Sequence, residues 1–157
     1  MPVVNIIVAG LGGQGVLKAS DIIADAAFRL GRDVKKAEVH GMSQRGGSVA
    51  SDIRYGDRVF SPMVPPGEAD YLVVLSADQV QPNCRQLRAG GRLIEPDLLG
   101  GIALRNRRSL NVALLGLLSG YLDIPESAWL EAIRATLPEA LHAANLEAFQ
   151  AGRSIPL

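Results

Sequence analysis

The sequence has little of several residue types on which common kinds of site depend. It contains one cysteine in 157 residues, so it can form neither an internal disulfide nor the set of about four thiolates that an iron–sulfur cluster requires. That residue, Cys84, is expected as a small, buried or half-buried apolar side chain. Sixteen basic residues balance sixteen acidic ones, which argues against binding of nucleic acid through phosphate neutralisation.

Long apolar runs and signal features are also missing. No stretch approaches the roughly 18 apolar residues of a membrane helix. The first apolar run, over residues 3–9, has no basic segment before it such as a signal peptide would have. We therefore expect a cytoplasmic protein that has neither membrane nor nucleic-acid partners.

The pattern that is present alternates strands and helices within one expected domain, residues 1–157. It predicts a Rossmann-like, three-layer α/β fold with a mostly parallel sheet and helices on both faces. Residues 48–55 alternate in polarity, and with a second short strand at 59–60 they predict a β-hairpin inserted after the first βαβ unit. Strands are expected at 3–9, 34–39, 69–75 and 92–95, and helices at 16–30, 77–87, 110–122, 126–137 and 138–151.

A glycine-rich turn joins the first strand to the first helix. Gly10, Gly12 and Gly15 satisfy G-x-G-x-x-G, in which glycines allow a tight turn and close approach of an anion to the helix N-terminus. The turn is either a site for an anion or nucleotide phosphate or a purely structural feature. Between the glycines, Gln14 either faces a ligand or partner or caps the local backbone.

A dinucleotide site would also need an acidic residue near the end of the second strand. Glu38 follows Gly15 by 23 residues, against the usual spacing of about 20. However, Val39 and His40 extend the strand beyond it, and two lysines precede it. The sequence therefore disfavours NAD or FAD.

The loop after the second strand is polar and rich in glycine. It follows the carboxyl end of a strand, where ligands and partners bind in open α/β sheets. Arg45 could hold a carboxylate or phosphate, and His40 titrates near neutrality but has no evident nucleophile or metal set beside it. Alternatively, the loop is a scaffold at a subunit interface. The candidate anion, coenzyme A or partner-facing site comprises Gly10, Gly12, Gly13, Gln14, Gly15, His40, Gly41, Met42, Ser43, Gln44, Arg45, Gly46 and Gly47.

Two long motifs carry a resemblance to a known family. GLGGQGVLKASDIIADAAFRLG at 10–31 and AEVHGMSQRGGSVASDIRYGDRVFSPMVPPGEADYLVVL at 37–75 resemble the gamma domain of the pyruvate/2-ketoisovalerate:ferredoxin oxidoreductases. The His-Gly-Met-Ser-Gln-Arg-Gly-Gly-Ser loop is most similar to that of the indolepyruvate:ferredoxin oxidoreductase beta subunit. The resemblance resumes at 109–116 and 145–152.

The resemblance implies a subunit role. Such enzymes oxidatively decarboxylate a 2-oxoacid to an acyl-CoA. The candidate substrates implied for this chain are indolepyruvate or another aryl 2-oxoacid. The resemblance places thiamine diphosphate, Mg²⁺ and iron–sulfur clusters on a larger partner subunit, and ferredoxin takes the electrons through the complex. This chain is expected to hold none of these cofactors and no catalytic residue, with a part in coenzyme A access. Alone it is expected to be inactive and to form a homodimer through apolar surface.

One segment departs from the family pattern. Between Glu95 and Leu110 the chain is shorter than the family usually is. Near the end of this segment, Arg105, Arg107 and Arg108 either bind an anionic partner or coenzyme A phosphates, or form a solvated basic edge. Asn111 is expected to make a buried structural hydrogen bond. The alternatives to the subunit role are a free-standing Rossmann-like protein that binds nucleotides at the glycine turn, and a non-catalytic scaffold.

Overall fold

A five-stranded sheet forms the centre of the computed structural model, which describes residues 1–40 and 47–157. The strands are β1 (Val4–Leu11), β2 (Asp33–His40), β3 (Ser48–Gly56), β4 (Ala69–Val74) and β5 (Leu87–Ile94). The helices are α1 (Val16–Arg29), α2 (Val80–Asn83), α3 (Leu110–Ser119), α4 (Glu126–Thr136) and α5 (His142–Arg153). Single 3₁₀ turns occupy Ala77–Gln79, Cys84–Gln86, Pro96–Leu99, Arg107–Ser109 and Glu139–Leu141.

The strand order is β2-β3-β1-β4-β5, and four of the five strands run in the same direction. The mostly parallel sheet is therefore confirmed. The exception is β3, which pairs antiparallel with β1 on one side and with β2 on the other. The α1 crossover from β1 to β2 consequently passes over β3.

The antiparallel strand is found where it was predicted, but its hairpin partner is different. The expected second strand at 59–60 does not form. Instead β3 makes the hairpin with β2, through residues 41–47. Since both edges of β3 are already occupied by β1 and β2, no ladder position is left for residues 59–60. Val59 is held in another way, by an N–H that donates to the Asp33 carboxylate at 2.7 Å.

The four longer helices, α1, α3, α4 and α5, pack on one face of the sheet. There the inward side chains of β1, such as Ile6 and Val8, join a core built with α1, α3, α4 and α5. Trp129 and Phe149 are fully buried in this core, with ring centroids 5.8 Å apart. Trp129 therefore lies on the buried face of α4.

The opposite face is thinner than the expected second helical layer. Its cluster joins Ile7, Leu72 and Val74 of the strands to Val64, and Val80 of α2 packs against it. The helix expected over 77–87 is one α-helical turn between two 3₁₀ turns, and β5 already begins at Leu87. In this short, peripheral segment Cys84 is exposed, so the expectation of a buried filler is wrong.

Helices α3 and α5 cross at backbone contact. A Cβ built on Gly116 would overlap the Phe149 carbonyl oxygen, and one on Gly152 would overlap the Ala113 carbonyl oxygen. Every residue from 111 to 119 is buried as a result. This close crossing fixes where the N-terminus of α3 meets the edge of the sheet.

Candidate functional site

The glycine turn lies at the edge where the four codirectional strands end. Gly15 is the N-cap residue of α1 and has a φ of +87°, a conformation that favours glycine. Gly12 donates its N–H to the Gly47 carbonyl at 3.0 Å, which brings the end of the β2–β3 loop against the turn. The predicted site residues Gly41, Met42, Ser43, Gln44, Arg45 and Gly46, with the side chain of His40, lie outside the described residues.

Gln14 closes the turn on itself. Its side-chain Oε1 accepts a hydrogen bond from the Leu11 N–H at 2.7 Å, and its own N–H donates to the Leu11 carbonyl at 3.1 Å. Of the two roles open from the sequence, local capping is therefore the one that the structure shows. The Gln14 amide oxygen is used internally.

Asn111 ties the start of α3 to the turn. Its Nδ2 donates to the Gly15 carbonyl at 3.1 Å, and the residue is 7% exposed. A Cβ at Gly15 would overlap the Asn111 side chain. The predicted buried hydrogen bond is confirmed, and it shows why the third glycine is needed: it admits an amide from another helix.

A cleft of about 440 Å³ opens beside this contact. Its walls come from the glycine turn and the start of α1, the end of β4, the segment leading into α3, and the start of α5. The lining residues that matter for its chemistry are Gly13, Gly15, Lys18, Arg107, Arg108, Ser109 and Asn145. We refer to it as the turn cleft.

The turn cleft is positively charged although the chain is neutral. Lys18, Arg107 and Arg108 line it, no carboxylate does, and none of these three cations has an ion-pair partner among the described residues. All three stand near the positive ends of helix dipoles, an arrangement that costs about 0.3–1 kcal/mol per charge. An anion in the cleft would reverse this repulsion.

The two helix N-termini at the turn cleft differ in their protein partners. Neither α1 nor α3 has an acidic residue in its first turn, whereas α4 has Glu126 there. Helix α1 also lacks a side-chain cap. The 3₁₀ turn that leads into α3 is capped, because Asn106 Oδ1 accepts a hydrogen bond from the Arg108 N–H at 2.9 Å. Ser109, the N-cap residue of α3, is 1% exposed, and its hydroxyl has no hydrogen-bond partner within the described chain. The uncapped start of α1 and the unpartnered Ser109 hydroxyl thus lie beside three cations in one cleft.

Two residues considered from the sequence lie elsewhere. Arg105 does not line the turn cleft and pairs with Glu147 at 3.0 Å. Glu38 accepts a hydrogen bond from Lys36 Nζ at 3.1 Å, on a strand separated from β1 by β3. Two strand spacings, about 10 Å, therefore separate Glu38 from the strand that carries the glycine turn. A Rossmann ribose site needs that acid on the adjacent strand.

Sequence reasoning missed Lys18, Ser109 and Asn145. Lys18 carried a usable signal, since a lysine in a first helical turn that lacks acids opposes the helix dipole. Ser109 and Asn145 carried none, because their place depends on how α3 and α5 pack against α1. Asn145 Nδ2 donates to the Leu141 carbonyl at 2.8 Å.

Residues 1–40 and 47–157 contain neither a candidate metal cluster nor a helix that could span a membrane. Within these ranges no three His, Cys, Asp or Glu side chains lie close enough together to share a metal ion. None of the described helices is long and apolar enough to cross a membrane.

Comparison with known proteins decides the family. The family model for pyruvate ferredoxin/flavodoxin oxidoreductase matches residues 5–98 and 97–155. The chain belongs to this oxidoreductase family. Among curated relatives, the indolepyruvate oxidoreductase subunit IorB of Pyrococcus horikoshii is 31% identical, over 94% of this chain and 93% of the relative. The resemblance inferred from the motifs is confirmed.

Solved structures share the fold of this oxidoreductase-family chain. The gamma subunit of a keto/oxoacid ferredoxin oxidoreductase from Geobacter sulfurreducens superposes with a TM-score of 0.78 at 24% identity, covering 95% of each chain. The 2-oxoglutarate:ferredoxin oxidoreductase from Magnetococcus marinus, described with 2-oxoglutarate, coenzyme A and succinyl-CoA bound, gives a TM-score of 0.82 at 22% identity. That alignment covers 99% of this chain, which spans about a third (31%) of the larger protein.

The shortened segment is visible in the same comparisons. The alignment with the Pyrococcus relative is 188 positions long but includes only 94% of this 157-residue chain, so about 40 positions face gaps in it. The family model matches in two pieces that meet at residues 97–98. This division falls within residues 95–110, the segment that is expected to be shorter than in the family.

Proposed function

We propose that this chain is the cofactor-free subunit of a 2-oxoacid:ferredoxin oxidoreductase, and that its turn cleft holds phosphate groups of coenzyme A while a larger subunit performs the decarboxylation. The observation that carries the proposal is the convergence of three unpaired cations, the uncapped N-terminus of α1 and the unpartnered Ser109 hydroxyl in one cleft that no carboxylate lines. Both the cations and the N–H groups favour an anion.

The volume and chemistry of the turn cleft suit part of such a ligand. About 440 Å³ lies in the range of small-molecule pockets, and both polar and apolar residues line it. Arg107 and Arg108 can each form paired hydrogen bonds with phosphate oxygens, and Lys18 supplies a point charge at the start of α1. The Ser109 hydroxyl is an additional donor for the same oxygens.

Coenzyme A is the preferred anion for two reasons. The Magnetococcus protein, which shares this fold, is described with coenzyme A bound. The position of Glu38 disfavours the alternative of a free-standing nucleotide-binding protein, because β3 separates it from the glycine turn. The proposal also includes the expected substrate class, indolepyruvate or another aryl 2-oxoacid, with the Pyrococcus indolepyruvate relative as its support.

The redox cofactors do not fit this chain. An iron–sulfur cluster needs about four thiolates, and Cys84, the one cysteine, is exposed. Thiamine diphosphate with Mg²⁺ and the clusters would belong to the larger subunit, where they supply the decarboxylation and the electron transfer to ferredoxin. What this chain contributes is binding and orientation of the acyl acceptor. The β2–β3 loop, whose end Gly12 holds, would face the partner.

The test is a kinetic comparison on the native complex, purified through a tag on this chain. The KM values for coenzyme A and for the 2-oxoacid are measured by dye reduction in wild type, Arg107→Gln and Arg108→Gln. We expect the coenzyme A KM to rise about tenfold or more in each variant, since a hydrogen bond to a charged group contributes about 1.5 kcal/mol or more. The 2-oxoacid KM should not change.

Arg134→Gln is the matched control, since Arg134 is an exposed arginine in the last turn of α4 and does not line the turn cleft. Dephospho-coenzyme A tests which phosphate is held: if the cleft binds the 3′-phosphate, the variants should lose their effect with this substrate. An unchanged coenzyme A KM in both variants would exclude the turn cleft as the coenzyme A site. Failure to recover any larger subunit would refute the subunit role itself.

A further inference from the structure

A second groove lies beside the turn cleft and has a different character. It has a volume of about 350 Å³ and is lined by Ile102, Leu104, Arg107 and Leu110. Its three apolar residues are only half-buried, although they pack against the main core on their inner side. Leu98, at the start of the same segment, is 46% exposed. We call this surface the 98–110 groove.

The rim of the 98–110 groove is basic. Residues 98–110 contain Arg105, Arg107 and Arg108 but no acidic residue. Glu147 of α5 pairs with Arg105, yet both side chains remain mostly exposed, at 58% and 62%. Such an exposed pair contributes little and exchanges readily for a better partner. An apolar floor with an arginine rim is the composition of a protein-binding surface rather than of a site for a small anion.

The 98–110 groove begins where the family match divides into two pieces, at residues 97–98. The alignment with the Pyrococcus relative contains about 40 positions at which this chain has gaps. From the division at residues 97–98 we infer that the absent residues would lie next to the groove. With this placement, relatives have additional residues next to the corresponding surface. In this chain, which lacks them, the surface is open to another molecule.

We propose that the 98–110 groove docks a segment of the larger subunit in which acidic residues flank one or more apolar side chains, in place of the segment that this chain lacks. The apolar side chains would fill the space above Ile102, Leu104 and Leu110. A carboxylate would pair with Arg105, the rim arginine that does not line the turn cleft. This inference rests on the proposed function, because it requires a larger subunit.

The test uses the native complex and residues that line neither the turn cleft nor its helix N-termini. Leu104→Glu places a charge on the apolar floor, and Arg105→Glu reverses one charge on the rim. We expect each to raise the Kd of this chain for the larger subunit at least tenfold, and the residual complex to keep the wild-type KM for coenzyme A. Arg134→Glu, on α4, should leave the Kd unchanged.

Two further measurements make the result decisive. Thermal denaturation identifies any loss of folding in Leu104→Glu, while Arg105 is exposed, so its variant tests the proposal even if Leu104→Glu is unstable. A photo-crosslinking amino acid at position 104 should capture an acidic segment of the larger subunit.

Three outcomes would overturn the proposal. If wild type forms an active complex and both variants bind equally well, the groove is not a docking site, and the proposed function stands. If the crosslink joins two copies of this chain, the groove binds a second copy and not a segment of the larger subunit. If wild type recovers no larger subunit, the docking proposal and the proposed function fail together.

Discussion

Replacing the three cations of the turn cleft should change folding stability and anion binding in opposite directions. In the triple variant Lys18→Gln, Arg107→Gln, Arg108→Gln, three charges are removed from the positive ends of α1 and α3. None of them has an ion-pair partner among the described residues, so no favourable ion pair is lost. The isolated chain should therefore become more stable.

The magnitude follows from the helix dipole. Each misplaced charge costs about 0.3–1 kcal/mol, and all three are exposed, so we expect the lower half of that range. The free energy of unfolding should rise by about 1 kcal/mol in total. For a chain of this size that raises Tm by about 2–4 °C. Millimolar pyrophosphate should raise the Tm of wild type, and this increase should be absent in the variant.

The assay is thermal denaturation at low ionic strength, with and without pyrophosphate. Arg134→Gln is the matched control, because Arg134 lies in the last turn of α4, where a cation stabilises the helix. Its loss should lower the stability by a few tenths of a kcal/mol and leave the response to pyrophosphate intact. A triple variant that is less stable than wild type, or that still responds fully to pyrophosphate, would refute the electrostatic argument.

Three further predictions concern particular contacts. Gly15→Ala should lower the free energy of unfolding by about 2–4 kcal/mol, and Gly13→Ala by only about 1–2 kcal/mol. Both glycines have φ near +90°, but only a Cβ at position 15 would overlap Asn111. Equal decreases in Tm for the two variants would contradict this. Burial raises the pKa of the Asp52 carboxyl above its ordinary value, so the contribution of this group to stability should fall as pH rises above about 4. In urea denaturation, the free energy of unfolding of wild type should therefore fall relative to that of Asp52→Asn as pH rises, and a difference that does not depend on pH would count against this. Gly152→Ala should cost at least about 1–3 kcal/mol by separating α3 from α5, and a wild-type urea midpoint would be inconsistent with their backbone contact.

Features of the fold that depend on local sequence could be predicted. The glycine turn, the capping by Gln14 and the start of α1 follow from residues within a few positions of one another. The strand at 48–55 is also evident from its alternation in polarity, and the face that carries Ser51, Ile53 and Tyr55 is buried. Asp52, on the other face, is buried as well, which the alternation does not predict. The buried hydrogen bond of Asn111 was predicted from an amide in a segment rich in leucine and alanine.

The pairing of β3 could not be predicted in the same way. A strand pattern shows which face is buried but not which strands lie beside it, and β3 pairs on both sides. Proximity in the sequence favours residues 59–60 as the hairpin partner of β3. The structure instead pairs β3 with the preceding strand, β2. For the same reason the sequence does not predict the position of Glu38. It lies one strand further from the glycine turn than a dinucleotide site allows, because β3 separates β2 from β1.

The turn cleft was only partly predictable for a related reason. Its basic residues come from α1 and from a segment some 90 positions later, which has no hydrophobic periodicity. The sequence supplied the glycine turn and the arginines as separate candidates. Their meeting depends on the close crossing of α3 and α5 and on the contact between Asn111 and Gly15.

Recovery of the native complex through a tag on this chain tests the central claim most directly. The recovered protein is assayed for dye reduction that depends on both a 2-oxoacid and coenzyme A, and its subunits are identified by mass spectrometry. The account predicts a larger subunit that carries thiamine diphosphate and iron–sulfur clusters, and activity that is lost when this chain is removed and restored when it is added back. Recovery of the chain alone, or full coenzyme A-dependent activity of the larger subunit without it, would contradict the account.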